Sequence, residues 1–421
     1  MIKDILIKQK YEREQLLAQN YIARDKTLQV KDFADNDLVK VIIGPRRAGK
    51  SVFSLHLFKD KESAYINFDD ENLVKTENYD DILKEMLVTY GETKYLFFDE
   101  IQNIENWELF INKLHRQGYN ILLTGSNAKL LSRELSTHLT GRHIPIEILP
   151  FNFKEFLTAK KFIFQQNELH IPEIKAKLLN HLESYLVNGG FPEIVLKNYS
   201  PKGYLDTLLD SILLKDIINR YKVRFPQKIY DLEIYLINNI ASEISYRKLI
   251  NLVGFNSVGT LEKYLKYLEE AYLVFILSRY SNKAGERLKA PKKLYVVDNG
   301  YITAKAVQFS PDSGKLMENL VFTELVKRGL KPGMDLFYYK TRNNREVDFI
   351  IRENLKITSL VQVAYKINDP VTKEREIKAI IEAGGELKCN NFLIITWDYE
   401  EDIKIKEITI KLIPLWKWLL N

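Results

Sequence analysis

The sequence has few of the features that mark secreted, zinc-stabilised or membrane-spanning proteins. Its 421 residues include a single cysteine, Cys389, so no internal disulfide can form, which fits a reducing cytosol. The six histidines are scattered and lack the spacing of zinc ligands. No apolar run approaches the roughly eighteen residues that cross a bilayer, and the first residues show no apolar signal core. We therefore expect a cytoplasmic protein with no membrane partner.

The chain also has little excess charge. Its net charge of +6 is small for 421 residues, so it permits nucleic-acid binding without requiring it. Hydrophobic residues make up 46% and charged residues 28% of the sequence, an ordinary composition for a protein with buried cores. A chain of this length predicts two or three domains.

A phosphate-binding loop is the clearest motif in the sequence. Gly44, Gly49, Lys50 and Ser51 match the pattern G-x-x-x-x-G-K-[ST], between an apolar run at residues 38–43 and a helical pattern. In such a loop the backbone N–H groups surround phosphate oxygens, the lysine reaches the β- and γ-phosphates, and the serine hydroxyl binds Mg²⁺. The sequence therefore predicts an ATP site with Mg²⁺ as cofactor, formed by Gly44, Pro45, Arg46, Arg47, Ala48, Gly49, Lys50, Ser51 and Val52.

A second strand supplies the carboxylates that such a site needs. Residues 95–98 are apolar, and Asp99 and Glu100 follow them directly. We expect Asp99 to hold the metal together with Ser51, and Glu100 to act as the catalytic base that polarises the attacking water. The alternative is a solvated turn that carries two acids.

Polar residues after two further strands complete the predicted catalytic set. The strand pattern of residues 120–127 ends in Ser126 and Asn127, which can contact the γ-phosphate or position the water. Arg133 and Arg142 follow, and Arg142 precedes another strand. An arginine beside the γ-phosphate stabilises the transition state, whether it comes from the same chain or from a neighbour in a homo-oligomer. The alternative is an ordinary surface arginine.

These motifs together resemble those of AAA+ ATPases. The segments GPRRAGKS, FFDEIQNIENW, LLTGSNAKLL and LTGRHIPIEILPFNFKEFL are similar to one prokaryotic branch of the AAA_14 type, in which a C-terminal domain of unknown function, DUF4143, follows the ATPase. The resemblance implies an α/β domain over residues 1–160, with a parallel sheet that binds its ligand at the carboxyl ends of the strands. It does not identify what the ATPase acts on.

The middle of the chain divides into a helical part and a predicted winged helix. Residues 161–225 have a helical pattern and form a lid or connector in the AAA+ interpretation. Within residues 226–290, Ser245 and Ser257 can cap two helices that Gly254 separates, and a β-prone run follows. Two helices, a tight turn and a strand predict a winged helix-turn-helix.

The second of these helices is a candidate DNA reader. Acids on it, Glu262, Glu269 and Glu270, would repel phosphate, and winged helices also dock proteins, so double-stranded DNA and a protein are alternative partners. The side chains expected to face a major groove are Ser257, Thr260, Lys263 and Lys266.

A basic segment follows the two predicted helices. Five of its residues are basic and only Glu286 is acidic, so it is either a wing that contacts phosphate or a solvated linker. The basic residues are Lys283, Arg287, Lys289, Lys292 and Lys293.

The last part of the chain, residues 291–421, resembles the PD-(D/E)XK nucleases and implies a restriction-endonuclease-like α/β fold. In that fold an acid on a helix and acids on two neighbouring strands hold Mg²⁺, and a lysine activates water or steadies the phosphate. Asp348 fills the first strand position and Gln362 the second. The helix position is filled by Glu318 or, alternatively, by Glu324.

The lysine of the nuclease motif is missing. Ala364 stands at its position, while Lys366 shares the same strand face two residues further on. Lys340 and Arg342 are other nearby cations. With a neutral glutamine and no lysine in place, the sequence predicts weakened metal binding and little nuclease activity.

Three functions follow from these motifs. The first is a Mg-ATP-hydrolysing switch for a DNA-binding, nuclease-like region that is catalytically weak or inactive. The second is an ATP-gated switch whose C-terminal half docks protein, and the third is an active ATP-dependent endonuclease. Salt-sensitive affinity for DNA separates the first from the second, and cleavage that depends on Asp348 identifies the third.

Overall fold

A computed structural model describes residues 2–76, 78–125, 141–197, 199–305 and 312–421. The chain divides into two compact units, Met1–Phe151 and Asn152–Asn421. The candidate residues Ser126, Asn127 and Arg133 lie outside the described residues. The finer division at residues 160, 225 and 290 stays a prediction.

Within its described residues, the first unit is built on a sheet of five parallel strands in the spatial order β2-β3-β4-β1-β5. This confirms the predicted α/β class with an N-terminal parallel sheet. The strands are β1 (Val39–Ile43), β2 (Ser63–Asn67), β3 (Tyr95–Asp99), β4 (Asn120–Thr124) and β5 (His143–Glu147). Its helices are Ile2–Leu17, Asp25–Val30, Lys50–Leu57, Glu71–Val74, Tyr79–Tyr90 and Trp107–Arg116.

Two hydrophobic cores lie on opposite faces of this sheet. Val39 and Val41 belong to one core and Ile42 to the other, because successive side chains of a strand point to opposite faces. Strand β1 lies between β4 and β5, so the chain crosses from β1 to the far edge at β2 and later returns to the other side of β1. Doubly wound sheets bind their ligands beyond the carboxyl ends of the strands at such a reversal.

Helices dominate the first part of the second unit, as the sequence pattern predicts. A 3-10 turn at Gln166–His170 and a π-helical segment at Ile212–Asn219 lie among them. The α-helices of this part are Phe153–Ala159, Pro172–Asn188, Pro192–Lys197, Pro201–Ser211 and Pro226–Asn238.

Two helices, Tyr246–Val253 and Val258–Glu270, come next at the predicted positions. Gly254 ends the first helix with a φ of 73°, and the Ser257 hydroxyl caps the second. Ser245 precedes the first helix but makes no side-chain cap hydrogen bond. An antiparallel sheet accompanies these helices. Its strands are β6 (Glu243–Ile244), β7 (Val274–Ser278) and β8 (Lys292–Val296), in the spatial order β6-β8-β7. A short helix, Ala284–Lys289, connects β7 to β8 along the chain.

A mixed sheet of six described strands, in the order β13-β14-β12-β11-β10-β9, ends the chain. Its register shifts between Val347 and Ile350 of β10, so Asp348 lies at an irregularity of the kind that often re-aims a side chain near a functional site. The strands are β9 (Leu336–Lys340), β10 (Glu346–Glu353), β11 (Lys356–Ala364), β12 (Phe392–Thr396), β13 (Glu401–Ile405) and β14 (Ile408–Pro414). The remaining helices are Asn299–Lys305, Ser313–Lys327, Pro370–Leu387 and Leu415–Leu420.

Among the helices of the described residues, none combines the length and the apolar character needed to cross a membrane.

Candidate nucleotide site and carboxylate cluster

The phosphate-binding loop depends on two glycines. Gly44 has a φ of 145°, and a Cβ atom there would lie 2.0 Å from the carbonyl oxygen of Ile148. Gly49 has a φ of 91° and caps the helix Lys50–Leu57, a backbone conformation that glycine adopts without strain. The loop therefore lies at a helix N-terminus, where unpaired N–H groups and the helix dipole favour phosphate.

Two basic side chains contact the backbone of the loop. Lys50 Nζ donates to the carbonyl oxygens of Gly44 at 3.1 Å and Pro45 at 2.9 Å, so its ammonium group lies against the loop. Arg24 donates to the carbonyl oxygen of Ala48 at 3.1 Å and to that of Leu149 at 2.5 Å. Arg24 thus ties the loop to the segment after β5, a role that the sequence did not indicate.

Asp99 lies at the end of β3 beside the loop. Its Oδ1 accepts hydrogen bonds from the Ser51 hydroxyl at 3.0 Å and from the Thr124 hydroxyl, and its Oδ2 accepts one from the Tyr65 hydroxyl at 3.2 Å. Burial, with the nearby charge of Glu100, raises the pKa of Asp99 to about 6. Hydroxyl and carboxylate oxygens are ligands that Mg²⁺ prefers, so Ser51 and Asp99 fit the metal that accompanies ATP.

Glu100 follows Asp99 in an unusual backbone conformation. Its φ of 52° lies in the left-handed region, which is uncommon for residues other than glycine. The N–H of Glu100 donates to the Thr124 hydroxyl at 3.1 Å, and Gln102 donates to its carboxylate. Such conformations cluster at functional sites. The signal for Thr124 in the sequence is a polar residue at the end of an apolar strand, outside the recognised motifs.

Arg142 is not brought to the phosphate loop of its own chain. It is exposed, and its carbonyl oxygen accepts a hydrogen bond from the N–H of Val39 at the beginning of β1. Val39 pairs with His143 in the parallel sheet, so Arg142 lies at the amino edge while the loop follows the carboxyl edge. Five strand residues separate the two edges by roughly 16 Å. A role for Arg142 at the γ-phosphate therefore requires a neighbouring chain.

A second group of charged side chains surrounds Lys293 in the second unit. Lys293 is 1% exposed, and its Nζ contacts Glu346 at 2.6 Å, Glu318 at 2.8 Å and Asp348 at 3.4 Å. Glu318 also accepts a hydrogen bond from the Tyr295 hydroxyl at 2.7 Å. Burial alone lowers the pKa of Lys293, but the charges of Glu318, Asp348 and Glu346 outweigh it and raise that pKa well above its ordinary value. We call these four charged residues the Lys293 cluster.

Asp348 connects the Lys293 cluster to the neighbouring strand β11. Its Oδ2 accepts a hydrogen bond from the N–H of Val363 at 2.9 Å, and its own N–H donates to Gln362 Oε1 at 3.2 Å. The Gln362 amide in turn donates to Glu376 at 2.7 Å. Burial and the charge of Glu318 raise the pKa of Asp348 well above its usual range. The structure thus brings Glu318, Asp348 and Gln362 to one place.

A cavity of about 830 Å³ lies over the Lys293 cluster. Arg345 pairs with Glu382 at 3.1 Å, and Arg375 pairs with Glu376 at 2.5 Å. Cations therefore lie around a buried, mostly acidic centre. The basic side chains that line the cavity are Lys315, Arg345, Lys366 and Arg375.

The Mg²⁺ that the nuclease resemblance implies does not fit these side chains as they are arranged. Within the described residues, no three acidic, histidine or cysteine side chains are grouped so that they could hold a metal ion. The ammonium group of Lys293 lies among the carboxylates, and Gln362 offers a neutral amide where an acid is expected.

The structure changes three interpretations of the sequence. Lys293 is not part of an exposed wing, because it lies in β8 with its side chain buried. Glu324 pairs with Arg328 at 3.0 Å, and Glu318 is the helix acid of the cluster. Lys366 does not continue the face of β11, because the strand ends at Ala364 and Lys366 is exposed in the following turn.

Two of the predicted groove-facing lysines make contacts within their own helix. Lys263 Nζ lies 5.9 Å from the centre of the Tyr267 ring, and Lys266 pairs with Glu270 at 3.8 Å. These contacts reduce, without removing, the positive charge that the helix offers to phosphate.

Three family profiles match successive parts of the chain: an AAA domain at residues 36–157, a domain of unknown function, DUF8612, at 179–312, and a further one, DUF4143, at 313–418. The chain is 42% identical over 401 residues to an uncharacterised protein of Methanocaldococcus jannaschii, covering 91% of this chain and 88% of that protein. It is 32% identical over 420 residues to an uncharacterised protein of Haemophilus influenzae, covering 95% of this chain and 99% of that protein. The solved Walker-type ATPase of Pyrococcus abyssi is similar at 16% identity with a TM-score of 0.40, over 68% of this chain and 96% of that one.

Proposed function

The chain belongs to a prokaryotic family of AAA+ ATPases that carry a C-terminal DUF4143 domain, and from that premise we propose that it hydrolyses Mg-ATP to switch its second unit between conformations. In this proposal the second unit binds double-stranded DNA through its helix pair and its nuclease-like sheet, and cuts DNA weakly or not at all. Nucleotide-driven ordering of a segment and hinge closure are the physical precedents for such a switch.

The contact between Ser51 and Asp99 is the observation that carries the ATPase part of the proposal. It joins the end of the phosphate-binding loop to the end of β3 at 3.0 Å, with Thr124 of β4 against the same carboxylate. Two strands of the parallel sheet and the helix after the loop therefore contribute to one oxygen-rich site beside the loop. This supports a site for a nucleotide phosphate and its metal rather than a solvated turn.

Each residue of the nucleotide site has its own task in hydrolysis. Ser51 and Asp99 would hold Mg²⁺, which would supply positive charge to the β- and γ-phosphates. Lys50 exchanges its contacts with the loop carbonyls for contacts with phosphate oxygens, so its charge is available without a large movement. Glu100, fixed at the strand end by its backbone contact with Thr124, accepts the proton of the attacking water.

Replacing Glu100 by glutamine tests this assignment. We expect Glu100→Gln to bind ATP with unchanged affinity and to hydrolyse it about a hundredfold or more slowly, because the general base is lost while the size of the side chain is kept. The measurements are steady-state turnover and ATP binding by calorimetry. The matched control is Glu105→Gln, at an exposed residue of the same region, which should turn over like the wild type.

Turnover of Glu100→Gln within a few-fold of the wild type would contradict the role of this carboxylate. Loss of ATP binding in the same variant would show that Glu100 serves the fold of the loop instead.

Three features support DNA as the partner. The helices Tyr246–Val253 and Val258–Glu270 have the order of a helix-turn-helix. Four basic side chains, among five acidic ones, line the cavity over the Lys293 cluster and can contact a phosphate backbone. The acids and the glutamine of a nuclease-like site lie together at its base, which is where such a fold receives the phosphodiester.

A protein partner is the alternative that a specific observation favours. Lys263 and Lys266 are engaged with Tyr267 and Glu270. Near the turn between the two helices, Leu252 is 58% exposed and Val258 44% exposed, and apolar side chains suit a protein surface better than a phosphate backbone. ATP turnover that duplex DNA leaves unchanged, together with no measurable DNA affinity at low salt, would favour this alternative.

A further inference from the structure

Lys293 holds a position that the nuclease-like fold normally leaves to a metal ion. Its ammonium group has three N–H donors, and three carboxylates lie within 2.6–3.4 Å of its nitrogen, on the helix Ser313–Lys327 and on β10. Lys293 itself comes from β8, outside the helix and strands that carry the acids. The cation of this site is thus supplied by the chain.

We propose that Lys293 takes the place of a divalent metal ion, so that its ammonium group occupies the space between the three carboxylates of the Lys293 cluster and the site does not bind Mg²⁺ or Mn²⁺. This inference rests on the proposed function, in which the second unit is a nuclease-like fold with little or no cleavage activity. It adds the physical cause of that inactivity and identifies the residue responsible.

The position of Lys293 is fixed by its surroundings rather than by the carboxylates alone. The nitrogen lies 5.8 Å from the centre of the Tyr338 ring, and the Tyr338 hydroxyl donates to the carbonyl oxygen of Pro291 at 2.6 Å, next to the beginning of β8. Tyr295, two residues along the same strand, donates to Glu318. A metal ion would therefore have to displace the ammonium group of a lysine whose backbone is paired with strands on both sides of β8.

The two departures from the nuclease pattern change the local charge in the same direction. Gln362 removes one negative charge from the strand position, and Lys293 adds one positive charge beside Asp348. Both changes reduce the affinity of the site for a divalent cation. Ala364 leaves the usual lysine position without a cation, so the site also lacks the group that activates water in such nucleases.

Removing the lysine should therefore create a metal site. In Lys293→Met the three carboxylates face one another without a cation, which is unfavourable. A divalent cation relieves the repulsion when the carboxylate oxygens, now 2.6–3.4 Å from the lysine nitrogen, move in to the shorter metal–oxygen distance. We expect Lys293→Met to bind Mn²⁺ at least tenfold more tightly than the wild type, and the double variant Lys293→Met with Asp348→Asn to lose that gain. The measurement is electron paramagnetic resonance of free Mn²⁺ during titration of the full chain without nucleotide.

Two controls separate this site from other sites for Mn²⁺. Asp348→Asn alone should bind Mn²⁺ like the wild type, because the inference predicts no metal at Asp348 while Lys293 is present. Lys340→Met is the matched lysine control: Lys340 pairs with Glu243 at 2.8 Å and contacts Glu346 at 3.7 Å at the rim of the cluster, and its loss should produce no tenfold gain.

Two results would overturn the inference: binding of Mn²⁺ by the wild type that Asp348→Asn removes, or a folded Lys293→Met without gained binding. If Lys293→Met folds only when Mn²⁺ is present, the inference is supported. If it does not fold under either condition, the comparison of wild type with Asp348→Asn decides. Duplex cleavage that needs Asp348 would contradict the proposed function, whereas metal binding at Asp348 without cleavage would contradict only this inference.

Discussion

Buried charged residues in this protein differ in the number of charged or hydrogen-bonding partners that offset the cost of their burial. Lys293 meets three carboxylates, and Asp99 accepts hydrogen bonds from three hydroxyl groups. Glu233, in the helix Pro226–Asn238, is 1% exposed, and neither of its carboxylate oxygens accepts a hydrogen bond from a described residue. Burial raises the pKa of Glu233 to about 7, against the opposing effect of the charge on Lys305.

A pH dependence of stability follows from Glu233. Between its ordinary pKa of 4.5 and about 7 the folded protein holds a proton that the unfolded chain has released, so stability falls as the pH rises through this window. Glu233→Gln, which resembles the protonated form, should stabilise the second unit at about pH 8 by on the order of 3 kcal/mol and change little at about pH 5.

Thermal unfolding of wild type and variant at both pH values is the check. Glu183→Gln, at an exposed residue in the helix Pro172–Asn188, is the control and should leave the melting temperature unchanged at either pH. A Glu233→Gln variant that is no more stable at the higher pH would show that Glu233 finds a partner in solution.

At the scale of secondary-structure elements, the phosphate-binding loop is held by a side chain from another segment. Arg24 precedes the helix Asp25–Val30 and reaches both the loop, at Ala48, and the segment after β5, at Leu149. Removing its guanidinium leaves two buried carbonyl oxygens without these donors, at a cost of about 1–3 kcal/mol for each. Because one of the two carbonyl oxygens belongs to the loop, losing Arg24 should also disturb the loop conformation that binds phosphate.

Arg24→Ala should therefore weaken ATP binding by roughly tenfold or more, with Arg24→Lys intermediate because an ammonium group cannot bridge both carbonyls as the guanidinium does. Arg13→Ala is a matched control, since Arg13 makes a similar pair of hydrogen bonds to Ser63 at the beginning of β2, at 2.7 and 2.9 Å. Calorimetric titration with ATP would measure all three variants. Equal affinities for Arg24→Ala and Arg13→Ala would argue against a positioning role for Arg24.

The elements themselves were largely predictable. The helices Tyr246–Val253 and Val258–Glu270 follow from apolar spacing, from Gly254 and from the Ser257 cap, all of which are local signals. Strands β1, β3 and β4 are short apolar runs between turns, and the parallel sheet was implied by the resemblance to AAA+ ATPases. Ser51 was found from the spacing of the phosphate-binding motif, and Asp99 from its position at the end of an apolar run.

The Lys293 cluster was only half predictable, for a physical reason. Its acids lie on a helix and a strand whose order resembles a nuclease, so Glu318 and Asp348 were recognised. Lys293 lies 55 residues before Asp348 in the chain, and the pairing that brings them together is tertiary. Its local context, KAPKKLYVV, indicated a basic loop. Lys293 and Tyr295 are two residues apart in β8, so their side chains lie on the same face of the strand. The large, mostly apolar Tyr295 was the signal that this face is buried.

For the whole molecule, the position of Arg142 bears on assembly. It lies at the amino edge of the sheet, so any contact with a γ-phosphate must be made to another copy of the chain. An arginine finger at Arg142 therefore operates only in a homo-oligomer. A nucleotide-driven switch also requires that occupancy of the nucleotide site in the first unit changes the affinity of the second unit for its partner, and the size of this change is a coupling free energy.

The measurement that tests this coupling most directly is the affinity of Glu100→Gln for duplex DNA with ATP and with ADP, at two salt concentrations of about 50 and 200 mM. The account predicts affinities that differ at least tenfold between the two nucleotides, on the usual scale of allosteric coupling, and that fall steeply with salt while the DNA stays intact. Equal affinities with both nucleotides, or no DNA binding at the lower salt, would contradict it.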